Sequence, residues 1–287
     1  MFTSRSTRRV RPVSIAFVVT LVTLFVVVLV AGAALAATPA KPTTKSPTGT
    51  ISSATPTFKW SKAAGATKYE VRVYNGSKQL VKKTGIKKLS WKSGTTLPRN
   101  VALTWKVRAA NAGGSGAWST SLSFKVALAI GNAYQGGKVA YLFKNGDPGY
   151  VAGQTHGLIA AKADQSNGIQ WYKGTYTATG ATGTALGTGF SNTNMIMAIQ
   201  GTPFTSYAAG LARAYQGGGH TDWYLPSKDE LNKLFVHQTA IGGFGPHYYW
   251  SSSEADANTA WNQAFDLSSQ YANPKSSPSY IRAVRTF

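Results

Sequence analysis

Residues 66–74, ATKYEVRVY, alternate with a period of two: Tyr69, Val71 and Val73 interleave with Lys68, Glu70 and Arg72. Successive side chains of a strand leave on opposite faces, so this run describes a strand with one buried and one wet side. Similar short runs surround it: Thr57-Phe58-Lys59-Trp60, residues 103–109 (LTWKVRA) and residues 122–126 (LSFKV), each broken off by turn residues. Asn75-Gly76 follows the first run as a hairpin signal. Seven short strands at this spacing fit an all-β sandwich over residues 51–127.

The alternation also sorts charge. With Tyr69, Trp105, Val107 and Phe124 turned inward, Lys68, Arg72, Lys106, Arg108 and Lys125 turn outward. Lys82, Lys83, Lys87 and Lys88 fall in or just after the neighbouring strand. These nine residues form the candidate patch for an anionic ligand. The competing reading is a solvated face whose charges only discourage edge pairing.

The net charge of +21 is concentrated accordingly. Residues 37–127 hold sixteen Lys and Arg against one acid, Glu70, a balance of +15; residues 128–287 balance at +2. Such asymmetry points to an anionic partner such as an acidic glycan, a wall polymer, lipid headgroups or nucleic acid.

Arg5, Arg8, Arg9 and Arg11 precede an apolar run at 13–30 that grades into small residues, with Ala34-Leu35-Ala36 as a cleavage pattern. Basic, then apolar, then small is the order of a secretory signal. The run is also long enough to span a bilayer, so residues 1–37 read as a signal peptide or an uncleaved membrane anchor. In either case the rest of the chain is expected outside the membrane, extracellular or at the cell surface. Residues 38–50, rich in Pro and Thr, read as an extended linker. Cysteine is absent, which removes disulfides, thiol nucleophiles and cysteine metal sites.

Pro56-Thr57-Phe58-Lys59-Trp60 and residues 66–74 resemble the second and third strands of a fibronectin type III domain. Residues 105–111 (WKVRAAN), followed by Gly114-Ser115 and Trp118-Ser119, are similar to its sixth strand and the turn into the last. The resemblance spans about residues 44–127. Trp105 stands where that family usually carries Tyr, which puts the family's tyrosine-corner hydrogen bond in question.

From residue 128 the composition shifts to Gly, Ala, Ser, Thr and aromatics. Helices are expected at 206–215 and from Ser227, where Ser227 and Glu230 make a capping box ahead of Leu231, Leu234 and Phe235. Strands are expected at 138–143, 248–252, 260–267 and 280–287, giving an α+β module. An ordered set of pieces resembles the C-terminal domain of the Legionella collagen-like adhesin: residues 131–141 (GNAYQGGKVAY), 157–161 (GLIAA) with Gln170-Trp171, 222–231 (DWYLPSKDEL), 249–254 (YWSSSE), Ala260-Trp261 with Phe265, and 281–285 (IRAVR). The resemblance implies a fold akin to C-type lectins and formylglycine-generating enzymes, a trimer, and binding of sulfated glycosaminoglycans. Two departures weaken the transfer: this module is nearly neutral, and no collagen-like stalk precedes it.

Catalytic motifs are missing from the sequence. His220 and Asp222 flank a turn and a helix start, while His156, His237 and His247 lack ligand spacing. No GxSxG or phosphate loop occurs. Trp250, Glu254, Asn258, Trp261 and Asn262 are the glycan-binding candidates. Glu254, Asp256, Asn258, Asn262 and Asp266 leave calcium open as the one cofactor, although Gln263 replaces the Asp of the lectin Trp-Asn-Asp signature. Arg282 and Arg285 leave a strand on opposite faces, so one is expected inside, paired with Asp222, Glu230 or Asp266.

The sequence therefore describes a multidomain protein: an apolar signal or anchor helix, an all-β fibronectin type III sandwich and an α+β C-type-lectin-like module. Its expected role is that of an exported, non-catalytic, adhesin-like binding protein contacting an anionic glycan, a wall polymer, or a host or neighbouring cell surface. The membrane is a further partner if the anchor stays uncleaved, and self-association is open. The alternatives are a structural subunit of an envelope assembly and an enzyme acting on glycan or wall.

Overall fold

The computed structural model describes residues 1–3 and 36–287; the apolar run read as signal or anchor lies outside the described residues. Among the described residues, no helix is long and apolar enough to cross a membrane. Residues Ala37–Phe287 form one compact unit built of two modules with separate cores.

The first module is a two-sheet sandwich. One sheet has the order β1 (Thr44–Ser46), β3 (Thr57–Trp60), β6 (Ser90–Lys92). The other runs β2 (Gly49–Ile51), β9 (Leu122–Val126), β7 (Ala102–Asn111), β4 (Lys68–Asn75), β5 (Lys78–Ile86), with β8 (Gly114–Trp118) also on β7. Between them the inward residues of the alternating runs close together: Phe58, Val71, Val73, Leu103, Trp105, Val107 and Val126 are essentially inaccessible. Phe58 meets Trp105 edge to face at 5.0 Å, a geometry that aromatic quadrupoles favour. The hairpin at Asn75-Gly76 is present, with Gly76 at φ 55°, the left-handed conformation glycine adopts without a Cβ clash.

The Pro/Thr segment 38–50, expected to be an extended linker, is instead part of the sandwich. Thr44–Ser46 pairs with β3, and Gly49–Ile51 runs parallel to β9. The physical reason lies with Trp105. Its buried indole Nε1 needs an acceptor, and the Pro47 carbonyl supplies one at 2.9 Å. Where the resembled family uses a Tyr hydroxyl, this chain uses an indole and recruits the "linker" to satisfy it.

The second module has two sheets. One is antiparallel, in the order β10 (Ala133–Tyr134), β11 (Gly137–Leu142), β12 (Gly157–Ala160), β18 (Val284–Thr286). The other has the order β13 (Ser166–Ile169), β17 (Ser279–Ile281), β14 (Tyr248–Glu254), β15 (Thr259–Ala264), β16 (Gln270–Pro274). Four α-helices accompany them: α1 (Gly189–Gln200), α2 (Ala208–Ala214), α3 (Lys228–Val236) and α4 (Gln238–Ile241). The capping box opens α3 as its sequence requires: Ser227 Oγ accepts from the Glu230 amide, and Glu230 Oε2 accepts from the Ser227 amide at 2.8 Å.

The strand expected at 280–287 is broken. Ile281 pairs with Ser166 and Val284 with Ala160, so the chain changes sheets at Arg282-Ala283. Arg282 causes the break. Its fully buried guanidinium bonds Asp164 Oδ1 at 2.6 Å and the carbonyls of Ala161 and Gly243, and stacks 4.1 Å from the Phe244 ring. The expectation for the two arginines is thereby corrected. Both are buried, and Arg282 pairs with Asp164, which was not among the candidate partners. Arg285 takes Asp222 through two 2.8 Å bonds. Glu230 is consumed by the capping box, and Asp266 is exposed.

Candidate functional site

The outer face of the larger sandwich sheet carries most of the expected cationic patch. Register places Glu70 opposite Arg108, Arg72 opposite Lys106 and Lys68 opposite Ala110 across β4 and β7. Lys82 on β5 lies opposite Arg72, and Lys125 on β9 opposite Ala102. Residues paired directly across an antiparallel ladder share a face, so Lys68, Arg72, Lys82, Lys106, Arg108 and Lys125 are brought together on one side. The other three are placed elsewhere. Lys83 is exposed but sits in register with buried Val71, and Lys87 and Lys88 are exposed in the connection from β5 to β6.

At the centre of this face the charges are not free. Arg72 Nε bonds Glu70 Oε1 at 2.7 Å, and Arg108 bonds Glu70 Oε2 through Nε at 2.9 Å and Nη2 at 2.6 Å. Burial pulls the Glu70 carboxyl up, but hydrogen bonds from Arg108 and Arg72 outweigh it, so the group stays below its ordinary value. The Glu70 bond in turn raises Arg72. Trp118 on β8 lies opposite Arg108, and three cations gather on its ring: Arg108 at 4.7 Å, Arg72 at 4.9 Å and Lys106 at 5.1 Å from the centroid. Lys106 also sits 5.3 Å from the Tyr74 ring centroid.

The candidate cations, on this face and beyond it, therefore divide into two kinds. The Arg72–Glu70–Arg108 clasp, roofed by Trp118, is a structural unit with one surplus positive charge. Lys68, Lys82, Lys83, Lys87, Lys88 and Lys125 form no salt bridge among the described residues. Sequence reasoning missed Trp118 and the partnering role of Glu70. Both residues were visible, but the Gly- and Ser-rich run around Trp118 shows no alternation that assigns it a face.

The glycan-binding candidates of the second module do not converge on open surface, and this corrects the expectation for three of them. Trp250 is fully buried, its indole Nε1 bonded to the Ile169 carbonyl. Glu254 is 4% exposed; it takes the Thr179 and Gly180 amides and a 2.5 Å ion pair with the wholly buried Lys275. Asn262 is 1% exposed, and neither amide atom has a protein partner. Trp261 is half-buried beneath Lys228, whose Nζ sits 3.4 Å from its ring centroid. Asn258 is exposed.

The proposed calcium cluster is likewise dispersed. Glu254 is spent on Lys275, and Asp256 Oδ1 folds back onto the Asn258 and Thr259 amides at 2.7 Å. Among the described residues no three His, Cys, Asp or Glu side chains gather in a metal-holding group.

No curated protein matches the chain. Among solved structures it is similar to an Fn3-like protein from Clostridium thermocellum (18% identity, 33% of this chain and 97% of that one, TM-score 0.25). It is also similar to a fimbrial protein from Bacteroides ovatus ATCC 8483 (12% identity, 86% and 70% covered, TM-score 0.41) and to the Yersinia pseudotuberculosis adhesin InvE (10% identity, 85% and 70% covered, TM-score 0.29). Within the second module, residues 161–285 match the family model of the Lcl C-terminal domain.

Proposed function

We propose that this chain is an exported, surface-displayed binding protein of the adhesin type, and that its sandwich module contacts anionic polymers. The observation that carries this reading is the partition of charge. One module holds sixteen cations and a single acid, and that acid is locked between two arginines. Of the lysines, Lys68, Lys82 and Lys125 lie on the outer sheet face, Lys83 on β5 and Lys87 and Lys88 in the loop after it, while Lys45, Lys59 and Lys92 belong to the opposite sheet; none of them forms a salt bridge among the described residues. A polyanion is the partner that such a field attracts. The match of residues 161–285 to the Lcl C-terminal domain adds a recognition module, for which a lectin-like fold and glycan binding are part of the same proposal.

A non-catalytic role is proposed with it. The buried carboxylates, Glu70, Glu230 and Glu254, each have internal partners, and Asp164 and Asp222 hold arginines. General acid–base chemistry needs such groups facing a substrate.

The test is retention of residues 37–287 on immobilised heparin, compared with a variant carrying Lys82→Gln, Lys83→Gln, Lys87→Gln and Lys88→Gln. The reading expects wild-type retention that salt abolishes and that the variant largely loses. Retention unaffected by salt, or equal for the two proteins, contradicts it.

A further inference from the structure

A cleft of about 530 Å3 lies where the two modules meet, within the range of about 300–1,000 Å3 typical of small-ligand sites. Its apolar wall comes from Leu97, Pro98 and Val101, on the connection into β7, and from Tyr134 of β10. Tyr134 is held by an edge-on contact with Phe287, ring centroids 5.1 Å apart.

Arg99 Nη1 donates to the Ser52 carbonyl at 3.0 Å and the Ala127 carbonyl at 2.7 Å, which fixes the guanidinium; Nε and Nη2 have no acceptor among the described residues. Asn132 uses its Oδ1 to accept from the Ala129 amide, leaving Nδ2 free. Gln135 uses its Oε1 to accept from Arg285, leaving Nε2 free. Asn132 and Gln135 thus have their acceptor oxygens engaged inside the protein, and their free donors, with the Thr96 hydroxyl, surround one oriented cation. No carboxylate lines the cleft.

We propose that this cleft binds the negatively charged sugar unit of a glycan. The Arg99 guanidinium offers its unused Nε–Nη2 edge to a carboxylate or sulfate in the planar fork geometry that such groups accept. Asn132 Nδ2 and Gln135 Nε2 donate to ring hydroxyls, and the carbon–hydrogen face of the sugar packs on Tyr134 and Val101. A bare inorganic anion leaves the apolar wall unused, and a neutral sugar leaves the guanidinium unpaired. The proposal rests on the reading of the chain as a glycan-contacting surface protein and adds a defined site, distinct from the lysines on and after β5. Because the cleft needs both modules, it also gives their junction a purpose.

The test uses residues 37–287 and three disaccharides titrated by calorimetry: one with a uronate carboxylate, one with a sulfate, one neutral. Asn132→Asp keeps the acceptor for the Ala129 amide and replaces the free donor by a negative charge, so it probes the site with little disturbance of the fold. Arg99→Lys keeps the charge and removes the fork. Measurable binding of at least one charged disaccharide, at least tenfold weaker for the neutral one and at least tenfold weakened by either substitution, is the expected result; which charged disaccharide binds names the source of the anion. No binding of either charged disaccharide, or binding indifferent to both substitutions, overturns the site. The variant lacking Lys82, Lys83, Lys87 and Lys88 separates this proposal from the polymer reading: it should lose heparin retention and keep disaccharide binding. If the disaccharides fail while wild-type retention persists, the cleft proposal falls and the polymer reading stands.

Discussion

Arg108 reaches Glu70 from the neighbouring strand with two hydrogen bonds to one carboxylate oxygen, at 2.9 and 2.6 Å, while Arg72 takes the other oxygen at 2.7 Å. The single acid of a +15 module is thus the knot that holds its two central guanidinium groups beside Trp118. Charge in this sandwich is arranged, with part of it locked and part left available.

Removing the knot should have two separable effects. Glu70→Gln leaves Arg72 and Arg108 without a counter-charge and should lower stability by about 2 kcal/mol, since charged hydrogen bonds of this kind contribute roughly 1.5–3 kcal/mol each at most and this site is partly screened. It also raises the net charge by one, so heparin retention should increase slightly. Urea denaturation and salt elution measure the two effects independently.

Trp105 should be intolerant for a reason beyond size. Trp105→Phe keeps an aromatic ring but leaves the Pro47 carbonyl without its donor, which should cost about 1–2 kcal/mol in addition to a cavity term. Proteolysis should then begin near residues 44–51, because β1 and β2 lose the bond that fastens them to β7. Limited digestion followed by N-terminal sequencing checks the location.

The Glu254–Lys275 pair should behave as a buried charge couple. Lys275→Met alone strands Glu254 and should destabilise by about 3–5 kcal/mol, whereas Lys275→Met with Glu254→Gln should recover much of the loss. A double-mutant cycle by thermal denaturation gives the coupling directly.

Glu230 gives stability an unusual pH dependence. Burial raises its carboxyl from the ordinary 4.5 to about 6, despite bonds from the Ser227 and Gly187 amides. The folded state therefore holds a proton more tightly than the unfolded one. The contribution of this group is fully present below pH 4.5 and is lost as pH rises through about 6, a change of roughly 2 kcal/mol. Glu70 and Asp222 act in the opposite sense: both sit below their ordinary values, so their contributions are lost as pH falls. Thermal stability should peak near pH 5, and Glu230→Gln should flatten its decline toward pH 7.

How far the sequence reveals this molecule depends on which physical signal each element carries. β4 and β7 are legible because a sheet with one wet face writes period-two alternation, and Lys68, Arg72, Lys106 and Arg108 are found where that alternation puts them. The opening of α3 is legible because Ser227 and Glu230 satisfy one another's amides locally.

Helix α1 is illegible for the converse reason. It buries Asn192, Thr193 and Gln200 beside Ile196 and exposes Phe190, Met195 and Ile199, so the apolar stripe that identifies an ordinary helix is erased. Its inward polar groups are satisfied over long range, Asn192 by the Gly183 carbonyl and Thr193 by the Leu225 amide. The same limit explains Trp250, Glu254 and Asn262. Residue type marked them as ligand-binding chemistry, but burial, which only tertiary packing decides, placed them inside. Asp164 escaped notice as the partner of Arg282 because 118 residues separate them.

The most direct test of the central claim is the salt dependence of heparin binding by residues 37–287, measured for wild type and for the variant with Lys82, Lys83, Lys87 and Lys88 changed to Gln. If unpaired lysines grip a polyanion, affinity falls steeply with rising salt, and the variant shows both weaker binding and a shallower slope. Equal slopes for the two proteins would contradict the account and leave those lysines as a solvated surface alone.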